Sequence, residues 1–138
     1  MNYETRNMKY EAPAKIITFR DLNAWKLGHN LVLQVYRMTR FFPKEEMFGL
    51  SSQMRRSAIS ITSNIAEGFG RQSIKDKIHF YTMARGSLTE LQNQLIIAHD
   101  IGILDDTSFT NAELTSVDVH KIINGLIKTS RNHPSLSR

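Results

Sequence analysis

The sequence predicts an all-α protein, an antiparallel up-down-up-down four-helix bundle, on three observations. Apolar residues recur at alternating spacings of three and four along four separate segments. Short connections punctuated by Pro or Gly join those segments, and no stretch shows strand-like alternation. A single domain is expected, because 138 residues with 41% hydrophobic content can bury a core without staples.

The first helix is expected to begin at Asp21 as N-cap, with Phe19 ahead of it as a staple. Its face is Ala24, Gly28, Leu31, Val35, Met38 and Phe42, widened by Trp25, Val32 and Tyr36, and Pro43 stops it. The second helix starts within the stretch KEEMFGL, where Glu45 and Glu46 suit a first turn because carboxylates complement the positive end of a helix dipole. Met47, Leu50, Met54, Ala58, Ile61 and Ile65 form its apolar face, and Ser57, Ser60, Ser63 and Asn64 lie beside it as a small polar face that permits close helix approach. Gly68 and Gly70 are expected to end it through a left-handed C-cap. Ser73, with Asp76 three residues on, opens a third helix of about 28 residues. Its seam is Ile74, Tyr81, Ala84, Leu88, Leu91, Leu95 and Ala98, and it ends at Gly102. Asp106 is expected to cap a fourth helix with the seam Phe109, Ala112, Val119, Ile123 and Leu126, flanked by Ile122 and Ile127. The chain then divides into a flexible arm over 1–18, a bundle domain over 19–130 and a frayed tail over 131–138 that contains Pro134.

Composition narrows the function classes. The chain has no cysteine, which excludes disulfides and thiolate metal sites. No apolar run reaches the roughly 18 residues of a membrane span, and the polar N-terminus lacks the apolar core of a signal peptide, so a cytoplasmic location is expected. The net charge of +5 permits an acidic partner such as nucleic acid, and its placement says more than its total. Between Arg55 and Arg85 stand six basic residues (Arg55, Arg56, Arg71, Lys75, Lys77, Arg85) against two acidic ones (Glu67, Asp76), so this segment holds +4 of the +5.

The turn GFGRQSIKDK is the phosphate candidate: free amides at the start of the third helix, Ser73 at its cap, and Arg71, Lys75 and Lys77 around it. Its bland alternative is a helix end followed by a solvated charged turn. The Walker pattern is missing, and Gly68-x-Gly70 is a weak dinucleotide signal. Arg55 and Arg56 project about 100° apart, so at most one can enter a seam. Arg56 and Glu67, eleven residues apart, share a face. Arg56, Glu67, Arg85 and Glu90 are therefore read as ion-pairing or assembly residues, and Arg55, Arg71, Lys75 and Lys77 as candidate nucleic-acid contacts. Asp76-x-x-His79 is half of a di-iron motif, and His29, His79, His99, His120 and His133 show no zinc-protease spacing. With no nucleophile elbow and no clustered carboxylates, neither enzyme activity nor a metal or cofactor is expected. Trp25, Tyr36, Phe80 and Tyr81 fall on helical seams, where packing outweighs base stacking.

A family resemblance rests on Phe19-Arg20-Asp21-Leu22 with Trp25, Phe42-Pro43, Phe48-Gly49-Leu50 and Gln53 to Arg56. It continues through Asn64-Ile65-Ala66-Glu67-Gly68, Ala84-Arg85-Gly86-Ser87 and Glu90-Leu91. In order and spacing these resemble the four-helix proteins of the ribosomal RNA intervening-sequence (ribosomal S23-like) family, strongly over Phe19 to Leu104 and weakly over the fourth helix. The resemblance implies a bundle protomer that assembles into a homopentameric ring. It also implies kinship with the accessory variability proteins of diversity-generating retroelements, basic pentamers that engage a reverse transcriptase and nucleic acid. Two features depart from the pattern: the long N-terminal arm, and Thr62 where many relatives carry a proline, which leaves the second helix straighter. The expected function is a non-enzymatic oligomer binding RNA or DNA phosphates through a basic surface. The alternative is a protein-interaction scaffold, for example an accessory subunit of a reverse transcriptase, with the basic residues mainly in ion pairs.

Overall fold

A computed structural model describes residues 15–132. Four helices occupy most of them: α1 Asn23–Thr39, α2 Leu50–Gly70, α3 Ile74–Asp100 and α4 Asp106–Asn132. Short 3-10 turns at Phe19–Asp21 and Lys44–Glu46 precede α1 and α2. Most of the expected arm and of the expected tail, residues 1–14 and 133–138, lies outside the described residues. α1 packs on α2 and α4, and α3 packs on the same two helices, which is the neighbour order of an up-down bundle. None of the described helices is long and apolar enough to cross a membrane.

The core follows the predicted seams except at Met47, which is exposed on the turn before α2, and at Leu50, Ile74, Phe109 and Leu126, which are half-buried. Ala24, Gly28, Leu31, Val35, Met38 and Phe42 are all buried, as are Met54, Ala58, Ile61 and Ile65 of α2 and Tyr81, Ala84, Leu88, Leu91, Leu95 and Ala98 of α3. Ala112, Val119, Ile123 and Ile127 close the core from α4. Removing such side chains from water, at about 1.5–3 kcal/mol for each large one, is what drives four marginal helices together. The seven-residue step from Ala112 to Val119 is filled by Thr115 and Ser116, both buried. Their hydroxyls donate to Asn111 O at 3.1 Å and Glu113 O at 2.7 Å, so neither is buried unsatisfied. Most of the small face of α2 is used inside the protomer, where it meets α3, while Ser63 is exposed. There Ser57 is buried, Ser60 Oγ meets Ser87 Oγ at 2.8 Å, and Asn64 Nδ2 donates back to Ser60 O at 2.8 Å.

Helix ends depart from the expectations in four places. Asp21 does not cap α1; its carboxylate reaches back to the amides of Ile17 and Thr18, both at 2.9 Å, and these bonds hold its pKa low. Leu22 takes the N-cap position of α1 instead. Glu45 and Glu46 belong to the separate 3-10 turn, and Glu46 Oε1 accepts from Leu50 N at 3.2 Å at the entry to α2. Asp105, not Asp106, caps α4, accepting from Ser108 N at 2.7 Å. Finally, neither Gly68 nor Gly70 is left-handed; Gly102, with φ of 86°, is the one described residue that is. Gly68 is required for space, because a Cβ there would stand 2.7 Å from Cε1 of the buried Tyr81. The predicted cap at Ser73 is formed, with Asp76 N donating to Ser73 Oγ at 3.1 Å.

Candidate nucleic-acid interface

Folding divides the basic segment. Arg55 and Arg71 are separated by sixteen residues of one helix, about 24 Å of rise, so they sit toward opposite ends of the bundle. Each of the predicted contact residues then has its own surroundings.

Arg55 enters the seam between α1 and α2. Its Nε donates to Thr39 Oγ1 at 2.8 Å and its guanidinium lies 4.6 Å from the centre of the Tyr36 ring. Arg56, one helical step of about 100° further round, is exposed. Arg56 and Glu67 do share a face, but eleven residues of helix hold them about 16 Å apart, too far to pair within one chain. Glu67 instead accepts from Arg71 Nη2 at 2.9 Å, one turn along the helix axis. The Arg71 guanidinium also lies 4.6 Å over the Phe80 ring, so carboxylate and aromatic face hold it from two sides. Arg85 Nη1 donates to Asn124 Oδ1 at 2.9 Å, tying α3 to α4, and Glu90 is exposed.

Lys77 contradicts its expected role. Its residue is 1% exposed, and Nζ donates to Phe69 O at 2.7 Å and Gly68 O at 3.4 Å. The last carbonyls of α2 have no partner within their own helix and carry the negative end of its dipole, so an ammonium placed there satisfies both needs. Such a lysine cannot reach a phosphate. Its burial was signalled by position: Lys77 lies three residues after Ile74 and four before Tyr81, on the α3 seam itself.

What remains of the turn is Lys75, exposed at the start of α3, and Arg71, whose side chain is 43% exposed. Arg71 lines two surface grooves. One of about 530 Å³ is lined by Phe19, Ser63, Ala66, Glu67 and Gly70, and one of about 430 Å³ by Phe69, Gln72 and Lys77. Asp76 and His79 gain no third ligand; among the described residues no three His, Asp or Glu side chains are grouped so that they could hold a metal ion. At the opposite end of the bundle, sequence reasoning passed over the α1–α2 connection. There Arg37, Arg40 and Lys44 are exposed beside Phe41 and Phe48. Spread over a turn region of mixed charge, they never formed a basic run.

Comparison with known proteins agrees with the architecture. No curated protein matches the chain. A crystal structure from Bacteroides thetaiotaomicron, described as a protein with unknown function from the S23 ribosomal protein family, superimposes with a TM-score of 0.71 at 22% identity, over 77% of this chain and 96% of that one. At that identity the likeness speaks for the fold alone. Residues 20–125 match the 23S rRNA-intervening sequence proteins, from the 3-10 turn before α1 to the last turns of α4, and the chain belongs to that family.

Proposed function

We propose that this chain is a non-enzymatic, homo-oligomeric member of its family, a pentameric ring, that binds the phosphate backbone of RNA or DNA through exposed cations. One observation carries this reading: the excess positive charge stays on the surface. Arg37, Arg40, Lys44, Arg56 and Lys75 are all exposed and take part in no ion pair among the described residues. Repeating that set around a ring multiplies the field each phosphate meets. Binding then weakens steeply with salt, because every phosphate contact releases condensed counterions. The test is the affinity of the intact oligomer for a structured RNA and a single-stranded DNA across a salt series. A linear fall of log K against log salt supports the proposal; micromolar or weaker binding that is flat with salt contradicts it.

A second reading has its own observation. On the α3–α4 face, Gln92, Ile96, Leu114 and Val117 line an open groove of about 310 Å³ with exposed apolar side chains. Arg55, Arg71 and Arg85 meanwhile spend hydrogen bonds inside the protomer. Both features suit a scaffold or accessory subunit whose partner is a protein, such as a reverse transcriptase of the kind engaged by accessory variability proteins. Under this reading Arg71→Ala with Lys75→Ala leaves partner capture intact, and loss of capture from an unchanged oligomer counts against it.

A further inference from the structure

The α1–α2 connection presents two phenylalanines to solvent on a backbone that is held in place. Phe41 is 82% exposed and Phe48 is 93% exposed. Neither lies on a loose loop. Phe42 N donates to Thr39 O at 3.2 Å, Glu46 N to Pro43 O at 2.9 Å, Met47 N to Lys44 O at 3.0 Å and Gly49 N to Glu46 O at 3.1 Å, and the buried Phe42 anchors the turn between them. Neither exposed ring stacks on another ring among the described residues. Aromatic rings with open faces in water, carried on a held backbone, are suited to something that lays a flat apolar surface on them.

Charge identifies which surface. Arg37, Arg40 and Lys44 flank the rings and are exposed. The acids at this end keep their charge: Glu46 accepts from Leu50 N, Asp105 accepts from Ser108 N, Asp100 and Asp106 face His99, and Glu45 is open, so the cations count by their place beside the rings and not as a net excess. Arg37 and Phe41 line a groove of about 280 Å³ with Ser108 and Asn111 of α4, so the patch continues from the connection onto the start of that helix. Open aromatic faces beside uncommitted cations match a polymer of stacked bases on a phosphate backbone.

We infer that the α1–α2 connection binds single-stranded nucleic acid, bases stacking on Phe41 and Phe48 while Arg40 and Lys44 hold the flanking phosphates. This rests on the phosphate-binding proposal and adds what that proposal lacks, a requirement for unpaired bases. Duplexes hide the base faces and bind through charge alone.

The test compares the intact oligomer's affinity for a short oligothymidylate and for the same strand made of abasic sites, at one salt concentration. The expected result is tighter binding of the base-bearing strand, with the preference falling about fivefold or more for each ring lost in Phe41→Ala and Phe48→Ala. Phe48→Trp keeps the preference and Phe48→Leu loses it, since only the indole retains a face for stacking. Both rings are largely in solvent, so thermal melts of the variants should overlay the parent. Equal affinity for the two strands overturns the stacking inference and leaves the phosphate proposal standing; no binding of either overturns both. A change of oligomeric mass in Phe48→Ala overturns the inference too, because it assigns the ring to a contact between copies.

Discussion

The two ends of this bundle treat their basic residues in opposite ways. At the α2–α3 end, where charge is densest in the sequence, Lys77 is buried against the carbonyls of Gly68 and Phe69, and Arg71 is held between Glu67 and Phe80. At the α1–α2 end the cations are sparser in sequence, yet Arg37, Arg40 and Lys44 stay open, next to Phe41 and Phe48. A count of charges along a chain therefore says little about which of them a partner meets. Whether a lysine falls on a seam, and whether a helix end needs a cap, decides that.

Breaking the α2–α3 end should cost the most. Lys77→Ala removes a buried stem and leaves two helix-terminal carbonyls without their ammonium; a loss of roughly 2 to 4 kcal/mol is expected in urea denaturation. If Lys77 instead served nucleic acid, the variant would keep its stability and lose affinity. Gly68→Ala comes next. Its new methyl meets the buried Tyr81 ring, and overpacking of this kind costs about 1–3 kcal/mol. A left-handed cap at Gly68 predicts a loss too, but Tyr81→Leu would rescue the alanine only if space is the reason. Arg71→Ala should change stability by about 1 kcal/mol or less, because its pair with Glu67 is half-exposed and its contact with the Phe80 ring is a weak one at the surface.

The opposite end supplies the smallest effect, and it depends on pH. His99 Nε2 lies 2.6 Å from Asp106 Oδ1, its Nδ1 lies 3.5 Å from Asp100 Oδ1, and its ring stacks on Phe109. The hydrogen bond to Asp106 is the main reason its pKa stands above the ordinary 6.5. A raised pKa means that the folded state binds the proton more tightly than the unfolded chain. The contribution is thus complete below 6.5 and is lost as pH rises through the folded value above it. Thermal melts across neutral pH should show this decline in the parent and a flatter profile in Asp106→Asn.

Much of the architecture was legible in the sequence because burial imposes its own period. The α1 stripe of Ala24, Gly28, Leu31, Val35, Met38 and Phe42 is buried, although Tyr36, expected to widen it, is exposed, and the α3 seam from Tyr81 to Ala98 holds without a break. Caps were less legible, since Asp105 and Asp106 are chemically equivalent candidates and only the path of the chain selects the first. Gly68 was misread because glycine serves two purposes, left-handed backbone and close approach, and sequence shows neither the φ angle nor the ring opposite. The site was legible only in part. Lys75 stayed exposed as expected, but Lys77 fell on a seam, and the open pair Phe41 and Phe48 carries no charge run to mark it.

The central claim is that the open cations of the α1–α2 end contact phosphate while Lys77 does not. It is tested most directly by the salt dependence of single-stranded DNA binding in the parent, in Arg40→Ala/Lys44→Ala and in Lys77→Met. Each phosphate contact on a single strand contributes about 0.7 to the slope of log K against log salt, so the double variant should lose roughly 1.4 per protomer engaged and Lys77→Met should keep the parent slope. An unchanged slope in Arg40→Ala/Lys44→Ala, or a reduced one in Lys77→Met, would contradict the account.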